Sequence, residues 1–255
     1  MVDTETTSRG MSAAEIETMR SVEDDLWWYR ALRRHVLRAV ASMPPNFALL
    51  DAGCGSGGML ARLRERFPHA TLTGMDYSER ALELTQQRGT DADLVKGSTD
   101  ELPFADAQFD VVLSLDVIVV RGIDDEKAVR EMYRVLRPGG KLLMNVAAFD
   151  FLRGSHDVAT NMARRYTRPR LASLFKSAGF ACHRISYWNT TLLPAVAAVR
   201  WASRRRPSAA GVRSDLKPMW APLNAALAAI THAELALSQK VPLPFGTSLF
   251  AVAQK

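Results

Sequence analysis

The chain has 255 residues, of which 47% are hydrophobic and 24% charged, a composition that supports a packed core and excludes global disorder. No apolar run reaches the roughly 20 residues that a membrane-spanning helix needs. The net charge of +6 allows an anionic partner, but we find no zinc-ligand spacing, RNA-recognition aromatic motif or basic repeat, so we expect no nucleic-acid partner.

The first predicted element is a helical segment over residues 12–40, which follows a leader (1–11) that we predict to be disordered. Ser12 is the predicted N-cap, and Glu15, three residues later, completes a capping-box pattern. Two consecutive prolines at 44 and 45 end this helical region, because proline cannot continue a helix.

From residue 48 onwards, predicted strands and helices alternate. The strands are predicted at 48–50, 71–75, 93–96, 109–114, 141–146, 180–187 and 247–253. The helices are predicted at 57–66, 78–88, 124–136, 167–177, 191–203 and 221–240, with a sharp turn at 138–140. This alternation predicts an α/β fold: a Rossmann-like open sheet, mostly parallel with an antiparallel last strand, and helices on both faces.

The same pattern predicts four parts of the chain. They are an N-terminal helical cover (1–45), a cofactor-binding core (46–188), a helical cap inserted before the last strand (189–246) and the final core strand (247–255). We expect the two apolar cap helices to pack on the core over the active end of the sheet. Peripheral contact of their apolar face with a membrane surface is the alternative.

A glycine-rich loop, residues 50–58, follows the first strand and opens a helix. Gly53, Gly55 and Gly58 fit the dinucleotide pattern G-x-G-x-x-G, whereas Gly53, Gly55 and Gly57 fit G-x-G-x-G. Glycine allows positive φ and close approach of a ligand, and the helix start offers N–H groups to an anion. The loop alone therefore does not distinguish two classes of cofactor.

Two carboxylates bear on that choice. Asp51 precedes the first glycine by two residues, where an anion repels a pyrophosphate but suits the ammonium of a methionine moiety. Asp76 ends the next strand, where a carboxylate can accept both ribose hydroxyls, a feature that NAD and S-adenosylmethionine sites share.

The motifs occur in a recognisable order: Asp51-x-Gly53-x-Gly55-x-Gly57, then Gly74 to Ser78, then Leu102-Pro103-Phe104 with Phe109 to Val112, then Leu136 to Gly140. This set, covering about residues 46–187, resembles the successive motifs of class I S-adenosylmethionine-dependent methyltransferases, in their type 11-like branch. The resemblance implies S-adenosylmethionine as the cofactor, S-adenosylhomocysteine as the product and a methyltransferase activity (EC 2.1.1.-).

The resemblance also implies roles for the matched positions. Asp51, Gly53, Cys54, Gly55 and Gly57 would hold the methionine end, Asp76 the ribose, Tyr77 and Ser78 the adenine side, and Leu115 the region near the methyl group. Ser98 and Thr99 stand where the family often has Asp-Ala facing the adenine amino group, so Ser98 is a departure with less charge assistance.

An N-terminal segment from Glu23 to Arg30 resembles an aromatic-Arg element that folds over the cofactor in one branch of the family. Tyr29 and Arg30 would then meet the cofactor carboxylate. The alternative is a helix that buries Trp27 and Trp28 against the sheet.

The acceptor side is expected beyond the fourth and fifth strands, with Asp116, Val119 and Val120 in the pocket. The branch commonly carries Tyr-His after Asp-Val-Leu, and this chain has valines there, which removes a general base and predicts a hydrophobic or amphipathic acceptor. The alternative is that the valines only pack. After the fifth strand, His156 is the remaining base candidate, Tyr166 a polar orienter and Arg153 a contact for an anionic acceptor.

Three functions therefore remain in view. The favoured one is transfer of a methyl group to a small metabolite by in-line displacement. The second is a cofactor-binding protein that does not transfer methyl, regulatory or steering a rearrangement, as the missing histidine suggests. The third, opposed by Asp51 and the Pro-Gly-Gly turn, is an NAD-dependent oxidoreductase.

Composition bears on metals and location as well. No cluster shows metal-ligand spacing, so we predict no metal site. The N-terminus is polar and acidic, so we expect no secretory signal. The cysteines, Cys54 and Cys182, do not make a disulfide framework, which favours a reducing, cytoplasmic setting.

Overall fold

The structure is a computed structural model that describes residues 10–205, 214, 216–238, 241 and 243–255. Most of the predicted leader and most of the linker between the cap helices lie outside the described residues. The helices are α1 (Ala13–Val22), α2 (Trp27–Ala39), α3 (Gly58–Arg66), α4 (Glu79–Gln86), α5 (Asp125–Val135), α6 (Ser155–Ala159), α7 (Arg168–Ala178), α8 (Leu193–Arg205) and α9 (Ala221–Ser238). The strands are β1 (Ala48–Ala52), β2 (Thr71–Asp76), β3 (Asp93–Lys96), β4 (Phe109–Leu115), β5 (Leu136–Ala147), β6 (Ala181–Trp188) and β7 (Ser248–Gln254).

These strands form one seven-stranded sheet in the order β3-β2-β1-β4-β5-β7-β6. The first five are parallel neighbours, whereas β7 runs antiparallel to both β5 and β6. The predicted α/β class, the mostly parallel sheet and the antiparallel last strand are confirmed. Strand order reverses between β1 and β4, and open α/β sheets bind ligands at the carboxyl ends of strands at such a point.

Helices cover both faces of the sheet, as predicted. On one face, α5 and α7 bury side chains such as Met132 and Phe175 against β4 and β5. On the other face, α2 and α3 bury Val36, Leu60 and Leu63 against β1 and β2. The buried apolar runs of the central strands follow from this double covering.

The N-terminal helical segment is interrupted, so the prediction of one helix over 12–40 is wrong. A continuous helix would bond the Trp27 N–H to the Glu23 carbonyl, but Trp27 N donates instead to Asn224 Oδ1 at 2.8 Å. The Arg33 guanidinium donates to the carbonyls of Glu23 and Asp24, both at 2.6 Å. Tertiary partners thus satisfy the groups that the break between α1 and α2 leaves open.

Local signals at helix ends are confirmed only in part. Ser12 Oγ accepts from Glu15 N at 3.3 Å, as an N-cap does. The reciprocal half of the capping box is absent from the described residues, and Glu15 Oε1 is buried without a partner there. Thr167 makes no side-chain cap bond to α7. The predicted turn at 138–140 lies inside β5, where Gly139 has a φ of +79°.

The two cap helices lie between β6 and β7 in the chain. Helix α9 packs against α2 and β6. Glu234, which is buried in α9, accepts from the backbone N–H groups of Thr190 (2.9 and 3.0 Å) and Thr191 (2.9 Å) and so ties α9 to the end of β6. Among the described residues, no helix has both the length and the apolarity of a membrane span.

Candidate functional site

A cavity of about 900 Å³ lies at the carboxyl ends of β1, β2 and β4, beneath α1 and part of the cap. Most of the predicted site residues line it: Tyr29, Asp51, Gly53, Cys54, Gly55, Asp76, Tyr77, Ser78, Ser98, Thr99, Leu115, Asp116, Val119, Val120 and His156. Arg30, Gly57, Arg153 and Tyr166 are not part of its lining. The fold therefore brings together residues that are up to about half the chain apart in sequence.

The glycine loop turns sharply after β1 because its backbone bonds to the end of β2. Gly53 N and Cys54 N donate to the Met75 carbonyl at 2.7 and 2.9 Å. Gly53 and Gly55 have φ values of +99° and +56°, which favour glycine. A Cβ on Gly55 would lie 2.7 Å from the Met19 Cε of α1, so α1 packs directly on this loop.

Gly57 has a different role from the one that the resemblance implies. Its φ is +79°, and a Cβ there would lie 2.7 Å from the Thr85 Cγ2 of α4. Gly57 therefore allows close packing between the loop and α4 and does not line the cavity.

Asp76 is held at the end of β2 by backbone donors. Its Oδ1 accepts from Ser78 N and its Oδ2 from Gly55 N, both at 2.9 Å. Burial raises the pKa of Asp76, and the bonds from these backbone N–H groups oppose that rise. Each carboxylate oxygen retains further acceptor capacity, which suits the vicinal hydroxyls of a ribose.

Asp51 is the unusual group of the site. It is 1% exposed, and its Oδ1 has no hydrogen-bond partner among the described residues. Burial, followed by the nearby carboxylates of Asp76 and Glu23, raises the pKa of Asp51 to about 7. An unpaired buried carboxylate is costly, and a cationic ligand group removes that cost. The ammonium and sulfonium of S-adenosylmethionine fit this requirement.

The N-terminus of α3 already holds an anion of the protein itself. Glu23 accepts short hydrogen bonds from Ser56 Oγ and from Arg88, and a Cβ on Gly58 would clash with the Glu23 carboxylate. A dinucleotide pyrophosphate binds at this helix end in the Rossmann fingerprint. Gly58, which completes the dinucleotide pattern in the sequence, therefore makes room for Glu23.

We predict that Arg88→Met destabilises the protein by about 3–5 kcal/mol, because it leaves the buried Glu23 carboxylate unpaired. Arg88 is 8% exposed in this pair, and it also donates to the Ser56 carbonyl at 2.6 Å. The free energy of unfolding in urea measures the effect. The matched control is Arg80→Met, which removes exposed ion pairs and is expected to change the free energy of unfolding far less than Arg88→Met does. Equal losses of unfolding free energy in the two variants would contradict the burial of the Arg88–Glu23 ion pair.

Asp116 follows β4 and is fixed by a chain of hydrogen bonds. Its Oδ2 accepts from Asn145 Nδ2 at 2.7 Å, and Asn145 Oδ1 accepts from the Trp188 indole N–H at 2.9 Å. Burial raises the pKa of Asp116 to about 7, although the Asn145 bond and Arg165 oppose the rise. A carboxyl that titrates near neutrality in a cavity can exchange a proton with a ligand.

The roles of Asn145 and Trp188 were not predicted from the sequence, because these residues lie on β5 and β6, far from Asp116 in the chain. Arg30, the arginine predicted for the site, is absent from the cavity lining. Arg30 is exposed, whereas Arg33, four residues after Tyr29 and therefore on the same face of α2, is buried at the cavity. That helical spacing was readable in the sequence.

Tyr29 and its neighbours combine the two alternatives considered for this segment. Tyr29 lines the cavity, and burial with the nearby Glu23 and Asp116 carboxylates raises its pKa. Trp28 packs on Trp188 of β6, with ring centroids 5.6 Å apart. The segment thus both packs on the sheet and reaches the cavity.

Two predicted acceptor-side residues lie elsewhere. Tyr166 is fully buried outside the cavity lining, and its hydroxyl donates to Asp125 Oδ2 at 2.5 Å, so it joins the segment before α7 to α5. Arg153 donates to the Ala163 carbonyl at 2.7 Å and pairs with Asp150. These contacts of Arg153 hold the segment that follows β5. A residue that contacts the acceptor must line the cavity, and Arg153 does not.

The remaining acceptor-side residues line the cavity. His156 belongs to α6, next to Asp157, which forms a buried ion pair with Arg165 at 2.7 Å. Val119 is fully buried and Val120 is half-buried, so these valines both pack in the core and form an apolar wall.

Comparisons with known proteins agree with this geometry. Residues 50–144 match the sequence profile of the methyltransferase domain family. A demethylmenaquinone methyltransferase of Thermotoga maritima is 31% identical over 113 residues, covering 44% of this chain and 48% of that protein. A protein of Mycolicibacterium smegmatis named a probable S-adenosylmethionine-dependent methyltransferase is 30% identical over 170 residues, 64% of this chain and 63% of that one.

Among solved structures, a SAM-dependent methyltransferase of Thermotoga maritima superimposes with a TM-score of 0.57 at 20% identity, covering 95% of each chain. At that identity the likeness concerns the fold. The chain spans about half the length of the first curated relatives it matches. The matched domain over residues 50–144 and these relatives make the chain similar to S-adenosylmethionine-dependent methyltransferases, in line with the ordered motifs of the sequence.

Proposed function

We propose that this protein transfers a methyl group from S-adenosylmethionine to a small apolar or amphipathic acceptor. One observation carries the proposal: a single cavity joins an end that holds Asp51, whose buried Oδ1 has no hydrogen-bond partner among the described residues, to an apolar end walled by Val119 and Val120. At about 900 Å³ it lies near the upper end of the range for single small-molecule sites, which leaves room for an acceptor beside the cofactor.

The cofactor residues follow from the lining. Asp51 receives the ammonium, Asp76 the ribose hydroxyls, and the backbone of Gly53 and Gly55 allows close approach. Tyr77 and Ser78, with Ser98 and Thr99, line the adenine side, and Leu115 and Tyr29 the methionine side. When bound, the cofactor supplies an activated methyl group on a sulfonium whose leaving group is neutral.

The acceptor end combines apolar walls with polar groups such as His156, Thr160 and Arg165. Beyond the valines, its lining includes Leu152, Met162 and Val196. The demethylmenaquinone methyltransferase among the relatives is named for a quinone acceptor, which is consistent with an amphipathic molecule carrying one polar reacting group. The apolar walls exclude water and bury the body of such an acceptor.

Asp116 is the group that we propose to accept a proton when the acceptor must lose one. Its carboxylate is held by Asn145, and a pKa near 7 leaves it partly ionised at neutral pH. His156 also lines the cavity and is the second candidate.

Calorimetry and isotope transfer test the proposed function. We expect S-adenosylmethionine and S-adenosylhomocysteine to bind with a one-to-one stoichiometry, and Asp76→Ala to abolish that binding. We expect labelled methyl from the cofactor to appear in apolar phenolic or quinol acceptors and not in hydrophilic amines. If the wild-type protein binds the cofactor but transfers no methyl group to any component of a cell extract, the alternative of a cofactor-binding protein is favoured. The absence of a histidine at the position of Val120 is the reason for that alternative. Absence of binding in wild type would overturn the proposal itself.

A further inference from the structure

The outer face of α9 is mostly apolar, and His232 is its one polar exposed residue. Its exposed residues are Ala221, Pro222, Leu223, Ala225, Ala226, Ala229, Ile230, His232, Ala233, Ala236 and Leu237. None of them is Asp, Glu, Lys or Arg, because the one such residue of this helix, Glu234, is buried and faces the end of β6. Leu223 and Leu237 are 46% and 55% exposed. A water-facing helix normally presents a polar outer face.

Large side chains next to α9 extend this apolar surface. Trp220, just before the helix, is 74% exposed, and Met219 is 37% exposed. Contiguous exposed apolar patches mark interaction sites, and tryptophan is enriched where proteins meet the headgroup region of a bilayer.

A row of arginines flanks the apolar face. Arg30, Arg34 and Arg38 are spaced by four residues on α2, the helix against which α9 packs. Arg34 reaches the Ala228 carbonyl of α9 at 3.4 Å, which places the row along the side of that helix. None of the ion pairs between described residues involves these three arginines, so their charge is available to an anionic partner.

The cap, like the arginine row of α2, is positively charged. Residues 189–246 contain seven Lys or Arg and two Asp or Glu, a net charge of +5 against +6 for the whole chain. A second copy of this chain would bring an equally basic surface to the patch, so repulsion opposes a symmetric contact. An anionic surface with an apolar interior complements both features.

We propose that α9, with Trp220 and the arginine row of α2, docks on anionic phospholipid bilayers. The apolar face of α9 enters the boundary between headgroups and acyl chains, and Arg34 and Arg38 contact lipid phosphates. The cap also contributes Val196 and Met219 to the cavity lining, close in sequence to exposed Val199 and Trp220. Where the proposed function holds, the docked protein presents its acceptor pocket beside the lipid phase.

Co-sedimentation with vesicles tests the docking. We expect the wild-type protein to bind vesicles of phosphatidylcholine with 30% phosphatidylglycerol much more strongly than vesicles of phosphatidylcholine alone, and to be released by salt. Arg34→Glu with Arg38→Glu should weaken binding at least about 25-fold, since each basic residue near the surface is worth about fivefold. Leu223→Gln with Leu237→Gln should weaken it more than about tenfold without a change of charge.

The matched control is Arg130→Glu with Lys176→Glu, which makes the same charge change on α5 and α7, on the opposite face of the sheet. We expect this control to weaken binding less than about threefold, and all variants to keep the wild-type circular dichroism and cofactor affinity. Equal losses in the control and the α2 variant, or no binding of wild type to anionic vesicles, would overturn the docking. A dimer in sedimentation analysis that the α9 variant dissociates would also overturn it. Cofactor calorimetry is independent of these outcomes, so failure of the docking is distinguishable from failure of the proposed function.

Discussion

Asp51→Asn is expected to weaken binding of S-adenosylmethionine about 30-fold or more, because removing one partner of a buried charge pair costs at least about 2 kcal/mol. The same substitution is expected to stabilise the protein when no cofactor is present. Both effects arise from one observation: Asp51 is buried beside Asp76 and Glu23 without a partner for its Oδ1. Calorimetry measures the first effect and urea denaturation the second.

The pH dependence of stability follows from the direction in which the pKa of Asp51 is shifted. The folded pKa of Asp51, about 7, lies above the ordinary value of 3.8, so between these values the folded chain holds a proton that the unfolded chain has lost. This group therefore makes the cofactor-free protein less stable as pH rises from about 4 to about 7, with no further change above. Asn does not titrate, so the gain of Asp51→Asn is largest above pH 7 and reaches at most about 4 kcal/mol.

Cofactor affinity should depend on pH in the opposite sense. Ammonium binding requires ionised Asp51, so the affinity of the wild-type protein should rise as pH approaches 7, by up to about tenfold per unit. This slope should vanish in Asp51→Asn. Asp106→Asn, on an exposed carboxylate outside the cavity lining, is the matched control and should leave affinity and its pH dependence unchanged. A destabilised Asp51→Asn protein with wild-type cofactor affinity would contradict this account.

Asp116→Asn is expected to lower kcat by about 10²–10⁴-fold with an acceptor that must lose a proton, the usual contribution of a positioned base. Cofactor affinity should change less than about threefold. In wild type, kcat should rise with pH through about 7, because the ionised form accepts the proton and burial raises the pKa of this group to about that value. The Asn side chain preserves the size of the group at this position.

Two further variants identify the group that accepts the proton. Trp188→Phe removes the indole N–H that holds Asn145 and should shift the midpoint of the kcat profile while cofactor affinity stays unchanged. His156→Gln should leave kcat within about threefold of wild type. A large loss in His156→Gln together with near-normal kcat in Asp116→Asn would assign the base to the histidine and refute the role of Asp116.

Local sequence patterns determined the order and type of the strands and helices, because the spacing of apolar residues reflects which faces of an element are buried. They also determined the glycine loop and Asp76, since positive φ and a strand-terminal carboxylate are properties of a few consecutive residues. The antiparallel β7 is confirmed too. The patterns of the single elements and of the loop share one property: the relevant interaction is made within one element or its turn, whereas the pairing of β7 with β5 and β6 joins separate elements.

Contacts between distant segments were decided only by the tertiary structure. The break between α1 and α2 depends on Asn224, nearly 200 residues away in the chain. Gly58 completes the dinucleotide pattern in the sequence, and only the approach of Glu23 shows that its space is filled by the protein's own carboxylate. Tyr166 reaches Asp125 because α7, which directly follows Tyr166, packs against α5. Each of these outcomes depends on which side chains of distant segments lie close together in the folded protein. The spacing of residues along the sequence does not contain those distances.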